Sequence, residues 1–452
     1  MTALQDYSRR DFLKGMSMAT GAGVVSSLAP LTLSAQSATP ATSAAKTQLP
    51  QFAGFGQPAE DTEAFWAKVR SQFPLDPELT FLNNGTLGPA PGFVVETREH
   101  YNQLLARDPC DCFRMKELAE VRAALASALH AAEGEITITH STTEGMNIFA
   151  HGLDWKPGDE VIMGDQEHFA AFEPYQALAQ RFGIKVVTVK LPVPAVEVDQ
   201  VVAAYAKAFT PRTRVLVVSH VSYVSGLVAP LRELADLAHS HGALVSVDGA
   251  QSFGVLPVDV AATGIDHFAA SGQKWLLAGT GTGVSYIRKE LQPKIWPLFG
   301  YDDPVKPNSP SPRYERSGQL GIPAASGIAA ALQFRNAVGP DLIEARARRL
   351  GAQVRQAVLA IPGAKLISSV NSSLSANINV FTLPNLAPDK VATALSEQQR
   401  IVIRALSHGD INALRVSTHF YNSSAQVDRL FSILSSWSKD PPQSLAPAGK
   451  AS

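Results

Sequence analysis

The chain has 452 residues, of which 45% are hydrophobic and 17% are charged, a composition typical of a globular protein. Its 39 basic and 40 acidic residues give a net charge of −1, which leaves no electrostatic case for nucleic acid or an anionic membrane as partner. The two cysteines, Cys110 and Cys112, are too few for a disulfide framework, and no histidine cluster beside them indicates zinc. We therefore expect no metal site.

Residues 1–45 have the pattern of an export signal and linker rather than of a folded segment. Arg9 and Arg10 are followed by Phe12-Leu13-Lys14, then by a weakly apolar run at 16–33 and a tract of small residues at 34–45. This order resembles a twin-arginine signal. The apolar run is short and broken by glycines, which favours a cleaved signal over a stable membrane anchor. We predict export of the folded protein by the twin-arginine translocase into the periplasm. The alternative is a buried helix with a chance arginine pair.

The next segment leads into the main fold. Residues 46–75 predict a linker and an amphipathic helix, and residues 79–89 predict a short strand that enters a turn-rich loop. Helical patterns follow at 92–105 and 114–129.

From residue 135 to residue 287 the chain alternates between apolar runs and helical patterns. Runs of strand length occur at 136–139, 160–163, 185–189, 215–218, 243–247, 267–270 and 283–287. Such strands, separated by helices, indicate a mostly parallel sheet covered on both faces. We predict an α/β fold with a seven-stranded, mostly parallel sheet in a large domain at 46–330. A small α+β domain at 331–437 and a disordered tail at 438–452 complete the prediction.

Polar side chains that could bind a ligand or take part in catalysis follow the ends of five of these strands. They are Thr142 and Thr143, then His168, then His220, then Asp248 and Gln251, and finally Ser271, Gln273 and Lys274. Ligands of parallel sheets bind at the carboxyl ends of the strands. These side chains are therefore predicted to surround one ligand.

The residue types at the strand ends indicate a particular cofactor. Threonine hydroxyls at the start of a helix suit a phosphate group. A carboxylate such as Asp248 at the end of an apolar strand needs a cationic partner, and a protonated pyridine nitrogen is one. A lysine held rigidly and partly desolvated, such as Lys274, becomes a nucleophile, and His168 is suited to stack on a flat ring. Together these groups predict pyridoxal phosphate.

Each of these residues also has an ordinary interpretation. The threonines suit a simple helix cap. Asp248 suits a metal site or a buried ion pair, and His168 suits a solvent-exposed loop. Lys274, between Gln273 and Trp275, suits a surface position.

The order of several motifs along the chain adds a family resemblance. The motifs are Ser-Thr-Thr-Glu-Gly at 141–145, Glu-His at 167–168, Ser-His at 219–220, Asp-Gly-Ala-Gln at 248–251, Ser-Gly-Gln-Lys at 271–274, Arg-Val-Ser at 415–417 and Tyr-Asn at 421–422. Their order and spacing resemble those of the class V aminotransferases, which are fold-type I pyridoxal phosphate enzymes, over about residues 81–430. The loop at 83–85 and the Tyr-Asn motif resemble the isopenicillin N epimerase-like branch. The export signal is similar to that of the periplasmic aminotransferases that tailor pyoverdine.

The resemblance implies roles toward the cofactor. Lys274 would be the Schiff-base lysine and the proton shuttle at the substrate α-carbon. Asp248 would pair with the pyridine nitrogen, Gln251 would approach the ring hydroxyl, and His168 would stack on the ring, with His220 in the same crevice. The phosphate would be bound by Thr142, Thr143, Ser271 and Gln273.

The resemblance also implies roles toward the substrate. Arg415 would clamp the substrate carboxylate, because its planar fork suits bidentate contact. Arg404 is the second choice for that role. Asn84, in the loop at 83–85, is expected to contact the substrate.

Three departures from the family pattern narrow the prediction. Cysteine desulfurases of this class carry a catalytic cysteine in the C-terminal half, but this chain has none after Cys112, which disfavours desulfuration. Gln273 stands where many relatives have histidine. Gly318-Gln319 replaces a Gly-Thr whose threonine reaches the partner subunit's phosphate, although a homodimer is still expected.

The sequence thus predicts a periplasmic, homodimeric pyridoxal phosphate enzyme that acts on an amino-acid-like or peptide-derived small molecule. Aminotransfer is the first expectation and epimerisation at an α-carbon is the second. A lyase and an inactive periplasmic binding protein are further alternatives.

Overall fold

The computed structural model describes residues 49–56, 60–112, 115–299, 311–318 and 320–446. These residues belong to one compact unit that runs from residue 48 to the C-terminus. The predicted export signal and Gln319 lie outside the described residues. No helix in the described part of the chain is long and apolar enough to cross a membrane.

The described helices and strands follow the predicted order closely. The helices are α1 (Glu63–Arg70), α2 (Gly92–Arg107), α3 (Met115–Leu129), α4 (Thr142–Gly152), α5 (Phe169–Phe182), α6 (Val198–Ala206), α7 (Leu231–Ser240), α8 (Val260–Thr263), α9 (Ile322–Val338), α10 (Pro340–Leu359), α11 (Pro388–Gln399) and α12 (Ser424–Lys439). The strands are β1 (Thr80–Phe81), β2 (Ile136–Thr139), β3 (Glu160–Gly164), β4 (Lys185–Val189), β5 (Thr213–Ser219), β6 (Leu244–Asp248), β7 (His267–Ser271), β8 (Gly283–Ile287), β9 (Lys365–Leu366), β10 (Ile378–Thr382), β11 (Ile401–Val402), β12 (Arg404–His408) and β13 (Ile411–Ser417).

The largest sheet among the described residues has seven strands in the order β2-β8-β7-β6-β5-β3-β4. Strand β8 runs antiparallel to both of its neighbours, and the other neighbouring strands are parallel. The predicted α/β class with a mostly parallel sheet is confirmed. The carboxyl ends of β2, β3, β5, β6 and β7 consequently share one edge.

Strand β5 illustrates why the apolar runs form a central sheet. Its residues 215–218 are each at most 1% exposed. Val215 and Val217 belong to one hydrophobic cluster, whereas Leu216 and Val218 belong to another. Since alternate residues of a strand point to opposite faces, both faces of the sheet are covered. Each of these burials stabilises the fold by roughly 1.5–3 kcal/mol.

The C-terminal region contains an antiparallel sheet in the order β12-β13-β10-β9. Strand β1 pairs with β11, and Asn83 bridges to Ser417 on β13. The loop that follows β1 is therefore attached to the C-terminal sheet. This attachment brings that loop together with β12 and β13, which carry Arg404 and Arg415.

Two predicted boundaries need correction. The domain boundary at 330 falls inside α9, a continuous helix whose residues are mostly buried. The tail at 438–452 is not disordered along its first part, because α12 continues to Lys439 and the side chain of Leu445 is buried. The Leu445 carbonyl accepts a hydrogen bond of 2.9 Å from the Ala387 amide, so an apolar anchor holds the segment. Residues 447–452 lie outside the described residues.

Candidate active site

A cavity of about 280 Å³ lies at the carboxyl edge of the large sheet. Ten of the twelve predicted site residues line it: Thr142, Thr143, His168, Asp248, Gln251, Ser271, Gln273, Lys274, Arg404 and Arg415. The sheet topology explains this convergence, because parallel strands deliver the residues after their ends to one edge. His220 and Asn84 do not line this cavity.

One end of the cavity is built to receive an anion. Helix α4 begins there, and its N-cap, Ser141, accepts a hydrogen bond from the Glu144 amide at 3.2 Å. Ser271 Oγ, at the end of β7, lies 2.8 Å from both the amide and the hydroxyl of Thr142. Gln273, whose side-chain amide carries an NH2 donor, also lines the cavity. A helix N-terminus beside hydroxyl and amide groups suits a phosphate, so both the cap and the phosphate interpretations hold here.

Lys274 and Asp248 form the reactive part of the cavity. Burial lowers the pKa of the Lys274 ammonium, and the charge of Asp248 offsets part of that effect. Burial also raises the pKa of the Asp248 carboxyl, while the charge of Lys274 and a 2.8 Å hydrogen bond from the Ala250 amide lower it. No described residue forms an ion pair with Asp248. A buried carboxylate without a cationic partner is costly, and a protonated pyridine nitrogen would supply that partner.

The backbone of Lys274 is held by the loop that follows β1. The Asn84 amide group donates to the Lys274 carbonyl at 3.1 Å, and the Gly88 amide donates to the Gln273 carbonyl at 2.9 Å. A Cβ atom at Gly88 would lie 2.1 Å from the Lys274 carbonyl oxygen, so only glycine fits there. The Tyr421 hydroxyl donates to Asn84 Oδ1 at 3.1 Å. The Asn84 side chain thus positions the backbone of Lys274, and its contact with the substrate stays a prediction.

His168 lies at the start of α5 and is partly buried. Burial, together with the nearby positive charge of Lys274, lowers the His168 pKa to about 4, so the imidazole is neutral at physiological pH. Its Nδ1 accepts a hydrogen bond of 3.3 Å from the Ala170 amide. A neutral, half-buried ring on the cavity wall fits the predicted stacking role.

Tyr223 is a cavity residue that the sequence reasoning missed. Its ring packs edge-on against His168 with centroids 5.2 Å apart. Its hydroxyl lies 2.9 Å from Nδ1 of His408, whose Nε2 lies 2.7 Å from the Asp165 carbonyl. Because a carbonyl can only accept, Nε2 carries the proton in the neutral imidazole and the Tyr223 hydroxyl donates to Nδ1. No local motif marks this pair, which joins residues 185 positions apart.

Gln251 and His220 differ in part from their predicted roles. Gln251 lines the cavity, but its Oε1 accepts from the Trp275 indole at 2.7 Å and its Nε2 donates to the Gly85 carbonyl at 2.9 Å. Only one N–H of that amide group remains for a ring hydroxyl. His220 is buried and is not among the residues that line the cavity, and its backbone amide donates to the Asp248 carbonyl at 2.9 Å. This backbone hydrogen bond joins the ends of β5 and β6, and the cofactor contact of His220 stays a prediction.

Arg415 is a buried cation for which the described residues supply no acidic partner. Its side chain is 1% exposed, and it donates to Asn83 Oδ1 at 3.2 Å, Thr86 Oγ1 at 3.1 Å and the Tyr223 carbonyl at 3.3 Å. Burial, with the nearby charge of Arg404, lowers the pKa of the guanidinium to about 9. No described carboxylate lies within ion-pair distance of it. An anionic ligand in the cavity would complete its partners.

Glu167 is a buried carboxyl group that does not line the cavity but interacts electrostatically with Asp248. Burial, and to a lesser extent the charge of Asp248, raises the pKa of its carboxyl to about 8. The Ser219 hydroxyl donates to Glu167 Oε2 at 2.5 Å. At neutral pH the carboxyl is therefore mostly protonated, which avoids two buried negative charges side by side.

This titration predicts a pH dependence of stability. Between the ordinary carboxyl pKa and about pH 8, the folded state keeps a proton at Glu167 that the unfolded state has lost. The free energy of unfolding should therefore fall as pH rises, by up to about 1.4 kcal/mol per pH unit from this group. Glu167→Gln should remove that slope in urea titrations at pH 5–8. The matched control Glu233→Gln, at an exposed site on α7, should keep it. An unchanged slope in Glu167→Gln would contradict this assignment.

The sequence was also compared with known families and proteins. Residues 112–430 match the family model Aminotransferase class-V. The chain belongs to this family. The predicted family resemblance is confirmed over more than half of the chain.

Several curated relatives match this chain over nearly their whole length. The isopenicillin N epimerase of Amycolatopsis lactamdurans is 32% identical over 83% of this chain and 99% of the relative. A probable cysteine desulfurase of Methanothermobacter thermautotrophicus is 30% identical over 80% of this chain and 95% of the relative. This class V chain is therefore similar both to proteins named as epimerases and to proteins named as desulfurases.

Solved structures agree with the fold and the cofactor. A mutant of C-DES with glycine covalently linked to its PLP cofactor has a TM-score of 0.74 and 26% identity, covering 81% of this chain and 98% of that one. The cysteine desulfurase of Thermococcus onnurineus NA1 has a TM-score of 0.73 and 26% identity, covering 82% and 98%. Since the anion site, Asp248 and Lys274 fit the same cofactor, this class V protein is a fold-type I enzyme that depends on pyridoxal phosphate.

Proposed function

We propose that the protein is a periplasmic aminotransferase that acts on an α-amino carboxylate. The observation that carries this proposal is Arg415, a buried cation without a carboxylate partner among the described residues, in the same cavity as Lys274 and Asp248. A planar guanidinium suits the bidentate binding of a carboxylate. Binding there would orient an amino acid with its amine and α-carbon in the cavity with Lys274.

The other residues of the cavity support this chemistry. When bound, pyridoxal phosphate supplies an electron sink for the substrate α-carbon. Asp248 would keep the pyridine nitrogen protonated, while Thr142, Ser271 and Gln273 would hold the phosphate. His168 would cover the ring and exclude water. Lys274 would hold the cofactor covalently, and its amine would then remove and return the proton at the α-carbon.

Epimerisation is the second candidate, and the contact between Tyr223 and His408 favours it. Inverting an α-carbon requires a proton to leave one face and another to arrive on the opposite face. Tyr223 lines the cavity and its hydroxyl lies 2.9 Å from Nδ1 of His408, so it is a second titratable side chain in the cavity that holds Lys274. The relatives named isopenicillin N epimerase are consistent with this candidate.

The remaining candidates receive less support. Desulfuration through a cysteine in the C-terminal half is disfavoured, because the sequence has no cysteine after Cys112 and Cys110 is exposed. An inactive binding protein would have no need of a partly desolvated lysine near a buried carboxylate that has no ion pair within the described part of the chain. A lyase would use the same residues as an aminotransferase, so only analysis of the reaction products distinguishes the two.

One experiment separates aminotransfer from epimerisation. Purified holoenzyme is mixed with amino donors in heavy water, and the cofactor spectrum and the substrate α-proton are followed together. An aminotransferase should convert the cofactor to its amine form and release a keto acid. Retention of the aldehyde form, with α-deuteration and inversion, would replace aminotransfer by epimerisation. Neither change with any amino acid would contradict both.

We also propose export to the periplasm and assembly as a homodimer. Both rest on the arginine pair at 9–10 and on the family resemblance. Arg9→Lys combined with Arg10→Lys should leave the protein in the cytoplasmic fraction. Unaltered export of this variant would argue against the twin-arginine route.

The homodimer has its own test. Sedimentation of the mature protein should give twice the monomer mass, and a monomer would contradict the dimer.

A further inference from the structure

Two arginines lie side by side at one wall of the cavity. Arg404 on β12 and Arg415 on β13 are directly opposite each other in the antiparallel register. Like charges at such positions destabilise a sheet. Both guanidinium groups donate to the same acceptor, Thr86 Oγ1, at 3.3 and 3.1 Å, so the two heads are close neighbours.

Neither arginine has an acidic partner among the described residues. Their hydrogen bonds all go to neutral oxygen atoms, from Asn83, Thr86 and Tyr223. Arg346 is as deeply buried as Arg415, yet it meets the carboxylate of Glu63. Within the part of the chain that the structure describes, the cavity pair is therefore a double positive charge without an acidic partner, which a ligand with two negative charges would match.

The cofactor phosphate does not account for this charge. The groups that suit the phosphate come from the start of α4 and the end of β7, whereas the two arginines come from the C-terminal sheet and contact the loop after β1. Helix α4 offers its own positive N-terminus to the phosphate. The two guanidinium groups remain available to the substrate.

We propose that the substrate is an acidic amino acid or its derivative, with a second anionic group that Arg404 binds while Arg415 binds the α-carboxylate. This inference rests on the proposed function, because it takes the α-amino carboxylate at Arg415 as given. Arg404 is exposed at the cavity mouth and Arg415 is buried. The α-carboxylate therefore sits inside and the second anion lies nearer to solvent.

Two unreactive acids test the charge preference of the holoenzyme. Glutarate has two carboxylates and pentanoate has one, on chains of equal length, and neither has an amino group. Isothermal titration should give at least about tenfold tighter binding of glutarate, since a hydrogen bond to a charged group is worth that much or more. Arg404→Gln should reduce glutarate binding to the level of pentanoate and leave pentanoate binding within about twofold. The exposed control Arg232→Gln should keep the preference.

Several outcomes would overturn the inference. Equal affinities in the unaltered enzyme would exclude a second anion site. Parallel weakening of both acids in Arg404→Gln would mean that the two arginines share one carboxylate. Arg404→Lys, which keeps the charge, should retain part of the glutarate preference, and complete loss there would also count against it. The cofactor absorbance of each variant checks that the site is intact.

The same data distinguish the inference from the proposed function. Glutarate and pentanoate cannot undergo amino transfer, so the preference is measured without any reaction. A glutarate preference in an enzyme that reacts with no amino donor would refute aminotransfer and keep the dianion site. Amino transfer without a glutarate preference would keep the proposed function and refute the second anion site.

Discussion

Lys274→Ala should abolish covalent attachment of the cofactor and lower activity by at least about a thousandfold, within the range for an acid–base residue. The amine of Lys274 is partly desolvated and its pKa is lowered, so it is poised as a nucleophile. Borohydride should fix the cofactor to the unaltered protein and to no residue of the variant. Mass spectrometry of peptides containing residue 274 measures this directly.

Two comparisons guard the interpretation of that result. Lys207→Ala, at an exposed lysine after α6, should retain both the covalently attached cofactor and the activity. Circular dichroism should show that Lys274→Ala is folded, because the hydrogen bonds from Asn84 to the Lys274 carbonyl and from Gly88 to the Gln273 carbonyl do not involve the lysine side chain. A Lys274→Ala protein that still bound the cofactor through a reducible bond would refute the assignment of the lysine.

Arg415→Gln should weaken the specificity constant by roughly thirtyfold to several thousandfold, as for truncation of one partner of a buried charge pair. Most of the loss should appear in KM, because the carboxylate contact exists before and during the reaction. The guanidinium has a lowered pKa and no acidic partner among the described residues, so the free protein gains little from it. Thermal stability should stay constant or rise, which a purely structural arginine would not predict.

Arg346→Gln is the matched comparison for this second result. Arg346 is equally buried, but it is bound to Glu63 and to the Asn422 carbonyl, away from the cavity lining. Its loss should lower the stability and leave KM unchanged. If Arg415→Gln behaved in the same way as Arg346→Gln, Arg415 would be a structural residue and the substrate clamp would have to be sought elsewhere.

Much of the fold follows from local patterns. The run at 136–139 and the run at 283–287 are strands with the predicted ends, and the serine and threonines after residue 140 begin a helix as predicted. Apolar strands between amphipathic helices leave few options besides a parallel sheet with both faces covered. That topology alone brings Thr142, Asp248 and Lys274 to one edge, although Thr142 lies more than a hundred residues before the other two in the sequence.

The sequence by itself thus determined which strand ends meet and which residue types meet there. It could not determine where each side chain points. His220 directly follows Ser219 at the end of β5, yet it is buried and is not among the residues that line the cavity. Asn84 turns to the Lys274 carbonyl, 190 residues away, which no periodicity encodes.

Only the tertiary structure decided the composition of the substrate wall. The contact of Tyr223 with His408 and the juxtaposition of Arg404 with Arg415 depend on the docking of the C-terminal sheet beside the large sheet. Sequence patterns report local periodicity and chain order, whereas such contacts depend on packing between distant segments. The motif at 271–274 was sufficient to predict the reactive lysine. The charge of the cavity around that lysine depends on the packing of the C-terminal sheet, which carries Arg404 and Arg415.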